Sequence, residues 1–377
     1  MLAYNARHKS GNNEEVSVPG LAPRISSLAV AGLVAVGATA ASAQSISPAL
    51  KELAAAANKE GSLTLSWSGS TFAGIQGAAR YQAAINKMFG TNIRVNFLPG
   101  PDMARIANQL ATEFTANQRA HVDLLLGASP QLTPLVKIDF FERVDWKQYL
   151  PNRITDQMIE LDGRIIRIVT GLSGATYNSR LAPMKPTTLA DFLKPEWKGK
   201  IASTPYSAGF DVLYAADVWG KEKTTEYVTK LSTQITGLIR CGEAERIATG
   251  EYLALVMDCT GQDALQWQEK GAPVGQMMPL DAAQLRYYYF AIPKNAQHPN
   301  AAKLYTVFQM TEEGQRLSYE TWKTDLHFLP GSRMGKMVDG YMKQKVPFKE
   351  VTVEWQLKHP EINAGRSELI KILTTKR

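Results

Sequence analysis

The chain predicts an α/β fold in two lobes, and three observations predict it. Strand-like and helix-like segments alternate between residues 48 and 126, a pattern that favours a sheet with right-handed crossovers. A second alternating block occupies residues 200–279. Residues 44–377 also exceed the roughly 250–300 residues at which a single core stops growing.

In order, residues 48–58 form an alanine-rich helix leading into a strand at 63–67, and the Ser/Gly/Thr turn 68–71 follows. The next helix places Phe72, Ile75, Ala79, Met88 and Phe89 near one face. A strand at 93–98 runs into the turn 99–102, where Asp102 caps a helix striped by Met103, Ile106, Leu110 and Phe114. Residues 122–126 read as a buried parallel strand. Residues 171–177 are a strand carrying an exposed tyrosine, Tyr177, and begin the crossing into the second unit. That unit has strands at 200–203, 235–240, 253–258 and 274–279, with helices at 208–219, 221–231, 243–249 and 262–270. The chain leaves it near 282–288 and returns through a helix at 301–310. A crossing in two segments makes a hinge, because a few residues at element ends absorb the rotation that closes two lobes.

At the amino terminus, Arg24 precedes the uncharged stretch 25–40 and the triplet Ala41-Ser42-Ala43. A charged start, a short apolar core and small residues at the cut describe a secretory signal over residues 1–43, cleaved before Gln44. The apolar part is too short to span a bilayer. Of the formal charge of +7, the signal carries Arg7, Lys9 and Arg24 against Glu14 and Glu15, so the remainder keeps +6. No run of five basic residues occurs, which argues against a nucleic-acid partner. A basic protein does attract anionic solutes. Two cysteines, Cys241 and Cys259, sit at the ends of strands in a chain bound for an oxidising compartment: they are either one disulfide or two thiols. His8, His121, His298, His327 and His359 are scattered singly, so no metal cluster and no cofactor is expected.

The stretch 171–210, GLSGATYNSRLAPMKPTTLADFLKPEWKGKIASTPYSAGF, resembles the extracellular solute-binding proteins of bacterial ABC-type uptake transporters. The likeness lies in Tyr177-Asn178, the prolines, Asp191-Phe192-Leu193 and Trp197-Lys198-Gly199-Lys200. His298-Pro299-Asn300-Ala301-Ala302 and Glu313-Gly314-Gln315 are similar to that family's return helix. The resemblance implies a type II periplasmic-binding-protein fold, with a first lobe over 44–172, a second over 173–283 and a return to the first over 284–377. It also implies a monomer in the periplasm that delivers a small-molecule solute to an inner-membrane ABC permease. Ferric-ion-binding relatives use adjacent tyrosines after the strand that follows a Gly-Glu turn, since hard Fe(III) suits phenolate oxygens. Here Gly250-Glu251 leads to Cys259-Thr260-Gly261, without that pair.

In open α/β sheets, ligands sit beyond the carboxyl ends of strands, where helix amino termini hold anions through backbone N–H groups. Four segments qualify: Trp67, Ser68, Gly69, Ser70 and Thr71; Ala128 and Ser129; Ser173 and Thr176; and Tyr206, Ser207, Gly209 and Phe210. Thr260 offers a hydroxyl, and Asp258 or Asp263 could meet a cationic or hydroxyl group. Tyr287, Tyr288 and Tyr289 alternate across a strand, so Tyr288 faces opposite to its neighbours, and Arg286 is either a carboxylate partner or a solvated surface charge. Ser70, Thr71 and Thr204 also read as plain helix caps, and Trp67 and Tyr206 as core. The function expected is capture of a carboxylate, phosphonate or phosphate ester. Ferric iron carried as an anion complex, a periplasmic enzyme on the same fold, or a solute sensor are the rivals.

Overall fold

The computed structural model describes residues 47–375; the proposed signal at 1–43 lies outside them. The first segment runs α1 (Pro48–Glu60), β1 (Ser62–Trp67), α2 (Gly74–Phe89), β2 (Arg94–Pro99), α3 (Met103–Thr115), β3 (Leu125–Ala128), α4 (Ser129–Lys137), β4 (Ile159–Glu160) and β5 (Ile165–Asn178). The second runs β6 (Ile201–Ser203), α5 (Phe210–Leu213), α6 (Lys221–Ser232), β7 (Ile235–Leu238), α7 (Glu245–Ala248), β8 (Ala254–Asp258), α8 (Gln262–Glu269) and β9 (Val274–Met277). The chain then continues through β10 (Gln284–Ala291), α9 (Pro299–Gln309), α10 (Glu312–Trp322), α11 (Arg333–Lys343), β11 (Lys349–Val351), α12 (Val353–Lys358) and α13 (Glu361–Thr375).

Local chemistry explains the starts and stops. Ser47 caps α1 by accepting from the Leu50 N–H ahead of Pro48, and Gly61, in the left-handed conformation, ends the helix. Asp102 caps α3 through the Arg105 N–H, and Ile106 and Leu110 are buried as expected. On α2 the apolar stripe is different from the expected one. Ile75 is 63% exposed and Ala79 and Met88 also face out, whereas Gly77, Ala78, Tyr81 and Ile85 point inward. Gly77 is needed there because a Cβ would lie 1.6 Å from the Phe72 carbonyl oxygen. Phe72 and Ala73 have positive φ, so α2 starts two residues later and is rotated about its axis. The helix expected over 208–219 is only Phe210–Leu213. Beyond it the chain is drawn aside, with Asp217 accepting from the Trp355 indole N–H at 3.0 Å and pairing with Lys349.

Two strands organise everything else. β5 is fourteen residues long and buried throughout. Its first half pairs antiparallel with β10, from Ile166↔Phe290 to Ser173↔Gln284, and its second half pairs with β8 and β9. Ile165, Ile166, Ile168 and Val169 therefore belong to a core with Trp67, Tyr81, Phe290 and Tyr305, while Ala175 and Tyr177 belong to a second core with Phe192, Trp197, Phe210 and Val256. Tyr177, expected to be exposed, is 8% exposed, since its ring lies over Gly275. Leu172 sits between, in a small cluster with Met278, Ala283 and Leu285 where the chain crosses. The sheet order β11-β10-β5-β8-β6-β7, with β6 parallel to both β7 and β8, sends three strand exits of the second core the same way.

Buried carboxylates tie distant segments together. Asp123 accepts from the N–H groups of Thr64, Gln297 and His298. Glu160 accepts from Arg167 Nε, Tyr289 Oη and the Val353 N–H. α13 does not pack on the first core, where the sequence reading kept residues 284–377. Its Leu369 and Leu373 lie in the second core, and its Arg366 hydrogen-bonds Asp211 of α5.

Candidate solute site between the two cores

The turns after β1, β3, β6, β7 and β8 are linked in part to the crossing strands β5 and β10. In the turn after β1, Ser68 Oγ lies 2.9 Å from Thr71 Oγ1 and 3.2 Å from Ser70 Oγ, while Gly69 and Ser70 are exposed. The next residue, Phe72, packs 4.7 Å from the Trp322 ring, and Trp322 lies 4.8 Å from Tyr288. Tyr288 pairs with Ala128 of β3, is half-buried, and reaches the Thr260 hydroxyl. Tyr287 and Tyr289 point the other way into the first core, as strand alternation requires.

Around Tyr288 the charges divide. Burial raises its pKa; Arg286 and the Thr260 hydroxyl oppose that shift, and Asp263 and Asp258 add to it. Arg286 is half-buried, and a Cβ on Gly209 would stand 3.6 Å from its Nη1 and 3.2 Å from Gln284 Oε1. The guanidinium is thus set against the loop between β6 and α5. Gly209 has φ 97°, a conformation glycine adopts without strain, so the backbone can approach there. Among the described residues Arg286 has no ion-pair or hydrogen-bond partner, although its charge, with that of Arg366, holds the buried Asp211 below the usual carboxylate range. Gln284 donates to the Gly209 carbonyl at 3.0 Å, and its Oε1 is buried without a partner among the described residues.

The opposite charge sits at the start of α8. Asp258 is buried and accepts from Thr176 Oγ1 at 2.6 Å and the Cys259 N–H at 2.7 Å, yet burial still pushes its pKa up. Asp263 is half-buried; burial, Asp258 and Glu245 push it up to about 7. A carboxyl whose folded pKa is raised costs stability as pH climbs from its unfolded value near 3.9 to its folded one, and the cost is constant above. Replacing Asp263→Asn should therefore leave stability unchanged at pH 4. Relative to wild type the variant should gain on the order of 1–2 kcal/mol by pH 7–8 in urea unfolding. An equal difference at both pH values would contradict this.

Several expected contacts are corrected. Trp67 is 1% exposed, locked among Phe72, Phe97, Phe290 and Tyr305, and is core rather than a cleft wall. Phe210 is buried in the second core. Ser173 and Thr176 are fully buried and donate their hydroxyls to the Cys259 carbonyl and Asp258. Ser129 is buried with its hydroxyl on the Val351 carbonyl, and Ser207 is buried beside Asp211. Tyr206 is half-buried and its hydroxyl accepts from the Cys241 N–H at 2.8 Å. Of the expected residues, Ser68, Gly69, Ser70, Ala128, Tyr206 and Tyr288 keep exposed or half-buried positions, Thr71, Gly209 and Thr260 are buried beside them, and the half-buried Arg286 and Asp263 lie near Tyr288. Trp322 and Gln284 were not singled out from sequence: an amphipathic helix ending in tryptophan and a strand glutamine carry no local mark of a site.

Cys241 and Cys259 form a disulfide. Their sulfurs lie close to an Asp258 oxygen, but disulfide sulfurs are not thiolate ligands, and that trio does not make a metal centre in this state.

Two α/β bodies, two antiparallel crossing strands and strand ends converging between them define a two-lobed periplasmic-binding-protein fold. The family model described as bacterial extracellular solute-binding protein matches residues 78–332, and the chain belongs to that family. Among solved structures it is similar to apo ferric ion-binding protein A of Pasteurella haemolytica, with TM-score 0.64 and 14% identity over 84% of this chain and 100% of that one. It is also similar to AgtB of Agrobacterium tumefaciens R10 in complex with agropinic acid, with TM-score 0.62 and 15% identity over 83% and 98%. AfuA of Actinobacillus pleuropneumoniae with fructose-6-phosphate bound has TM-score 0.58 and 16% identity over 70% and 84%. No curated protein matches the chain.

Proposed function

We propose that this protein is the periplasmic component of an ABC importer and that it closes its two lobes on a small anion, a carboxylate, phosphonate or phosphate ester, for delivery to an inner-membrane permease. The observation that carries the reading is Arg286: a half-buried guanidinium on the strand between the lobes, beside the Gly209 loop and, among the described residues, without an ion-pair partner. An arginine fork matches the planar oxygens of such anions. Hydroxyls of Ser68, Ser70 and Tyr288 supply further donors. Asp263 suits a hydroxyl or ammonium group on the same solute. Of the similar solved structures, one is in complex with agropinic acid and one has fructose-6-phosphate bound.

A thermal-stability screen of the purified protein tests this, because ligand at 100 times its Kd adds about 2.7 kcal/mol. Stabilisation by a carboxylate, phosphonate or phosphate ester, absent with its neutral amide or alcohol and without turnover of the solute, is the expected result. Stabilisation only by polyamines or metal ions would overturn the anion reading, and product formation would make the protein an enzyme.

One ion pair is read here as a contact of closure. Lys323, at the end of α10 on the first core, pairs at 2.6 Å with Glu269 of α8, a helix that packs on β9. Closure needs contacts that exist only in the closed state. With Glu269 half exposed, Glu269→Gln should weaken solute affinity at most about fivefold. It should also enlarge the radius of gyration of the ligand-free protein in X-ray scattering; an unchanged radius would remove the latch.

A further inference from the structure

The disulfide occupies a particular place in the sheet. β6 lies between β7 and β8, parallel to both, so the exits of all three strands open on one side. Cys241 follows β7 and Cys259 follows β8, and their bond passes over the exit of β6. Both cysteines hold cleft loops through their backbones. The Cys241 N–H donates to Tyr206 Oη at 2.8 Å, and Tyr206 is fixed in turn by Thr204 Oγ1 donating to its carbonyl at 2.5 Å. The Cys259 carbonyl accepts from Ser173 Oγ of β5 at 2.6 Å, and the Cys259 N–H donates to Asp258. Thr260, the next residue, packs on Gly171, where a Cβ would lie 2.4 Å from its Cγ2, and its carbonyl accepts from the Leu172 N–H. The backbone leading into this turn has Met257 at φ 58°, a left-handed conformation that costs a non-glycine residue energy and that surrounding structure must hold. Met257 Cε touches the Gly209 loop, 2.7 Å from a Cβ built there.

We propose that Cys241 and Cys259 are positioning residues of the solute site: their disulfide clamps the 204–209 and 259–261 loops against β5, and reducing it loosens the second lobe's binding wall while the folded cores persist. Cys241 and Cys259 are both half-buried residues. A dithiol such as dithiothreitol supplies two electrons and two protons, becoming a cyclic disulfide itself and leaving Cys241 and Cys259 as thiols. The meaning of the clamp rests on the solute-site reading, but loop order can be measured without any solute.

The test compares the oxidised protein, the dithiothreitol-reduced protein and the double variant Cys241→Ser/Cys259→Ser by hydrogen–deuterium exchange. Peptides covering 204–210, 241–243 and 259–261 should exchange about tenfold faster or more once the bond is gone, while α9 and β1 stay protected. The ring resonance of Tyr206, assigned in 13C-tyrosine-labelled protein with Tyr206→Phe, should shift and return on reoxidation, a response a remote staple would not give. Unchanged loop exchange, or an equal rise across both cores, would overturn the proposal. Inorganic phosphate is the binding probe. Stabilisation of the oxidised form that disappears on reduction supports the clamp, and equal stabilisation of both forms counts against it. If phosphate stabilises neither, the anion reading is weakened while exchange alone decides the clamp.

Discussion

Arg286→Ala should reduce affinity for the anion found by the screen about 30-fold or more in titration calorimetry, the largest single loss expected in this protein. Removing one partner of a desolvated, hydrogen-bonded charge pair costs about 2–5 kcal/mol of binding, because the solute's charge is left buried without its counter-charge. Folding stability without solute should change little, since Arg286 has no partner in the described residues and Asp211 keeps Arg366. Arg286→Lys should recover only part of the loss, because an ammonium lacks the planar fork. Unchanged affinity in the alanine variant would end the assignment of Arg286 as the counter-charge.

The second large effect falls on stability. Arg366 of α13 donates from Nε and Nη2 to Asp211 Oδ2 at 3.0 and 2.8 Å, and Asp211 is almost completely buried at the first turn after the Gly209 loop. Arg366→Ala leaves that carboxylate in the second core with only the more distant Arg286 for charge. Breaking a buried pair on one side costs about 3–5 kcal/mol, and the lower figure applies because Arg366 itself is partly exposed. A loss of about 3 kcal/mol, or about 4 °C in Tm for a chain of this size, is expected. The sign of its pH dependence follows from Asp211, whose pKa is lowered in the fold. Its contribution is fully present above the unfolded value near pH 3.9 and is lost as pH falls through the lower folded value. The gap between wild type and variant should be full at pH 7 and narrow toward pH 3; a gap that widens in acid would refute the pairing.

Both expected effects depend on how the second core is assembled. Lobe 2 is entered by β5 and left by β10, and α13 returns to it from the far end of the chain. The helix that follows the Gly209 loop is therefore held by a segment about 150 residues later in sequence. No periodicity in residues 361–375 distinguishes packing on the second core from packing on the first. The same holds for α2: its apolar residues offered a stripe through Ile75 and Met88, and the positive φ at Phe72 and Ala73 turned the helix so that Tyr81 faced inward instead. Ser173 and Thr176 read as cleft hydroxyls because they stand on the crossing strand, yet pairing with β8 and β9 on the same stretch buries them.

Local and pairwise signals carried well where one segment decides the outcome. Asp102 before an apolar stripe made α3, Pro48 after a serine made α1, and the alternation of three tyrosines placed Tyr288 apart from its neighbours. The alternating α/β order and the family pattern at 171–210 determined the class of fold from sequence alone, because hydrophobic period and turn chemistry act within a few residues. Which hydroxyls are buried, where Arg286 is set and which strand exits the disulfide spans were decided only in three dimensions. Those properties depend on burial by segments far apart in the chain, and burial is a property of packed neighbours rather than of any residue by itself.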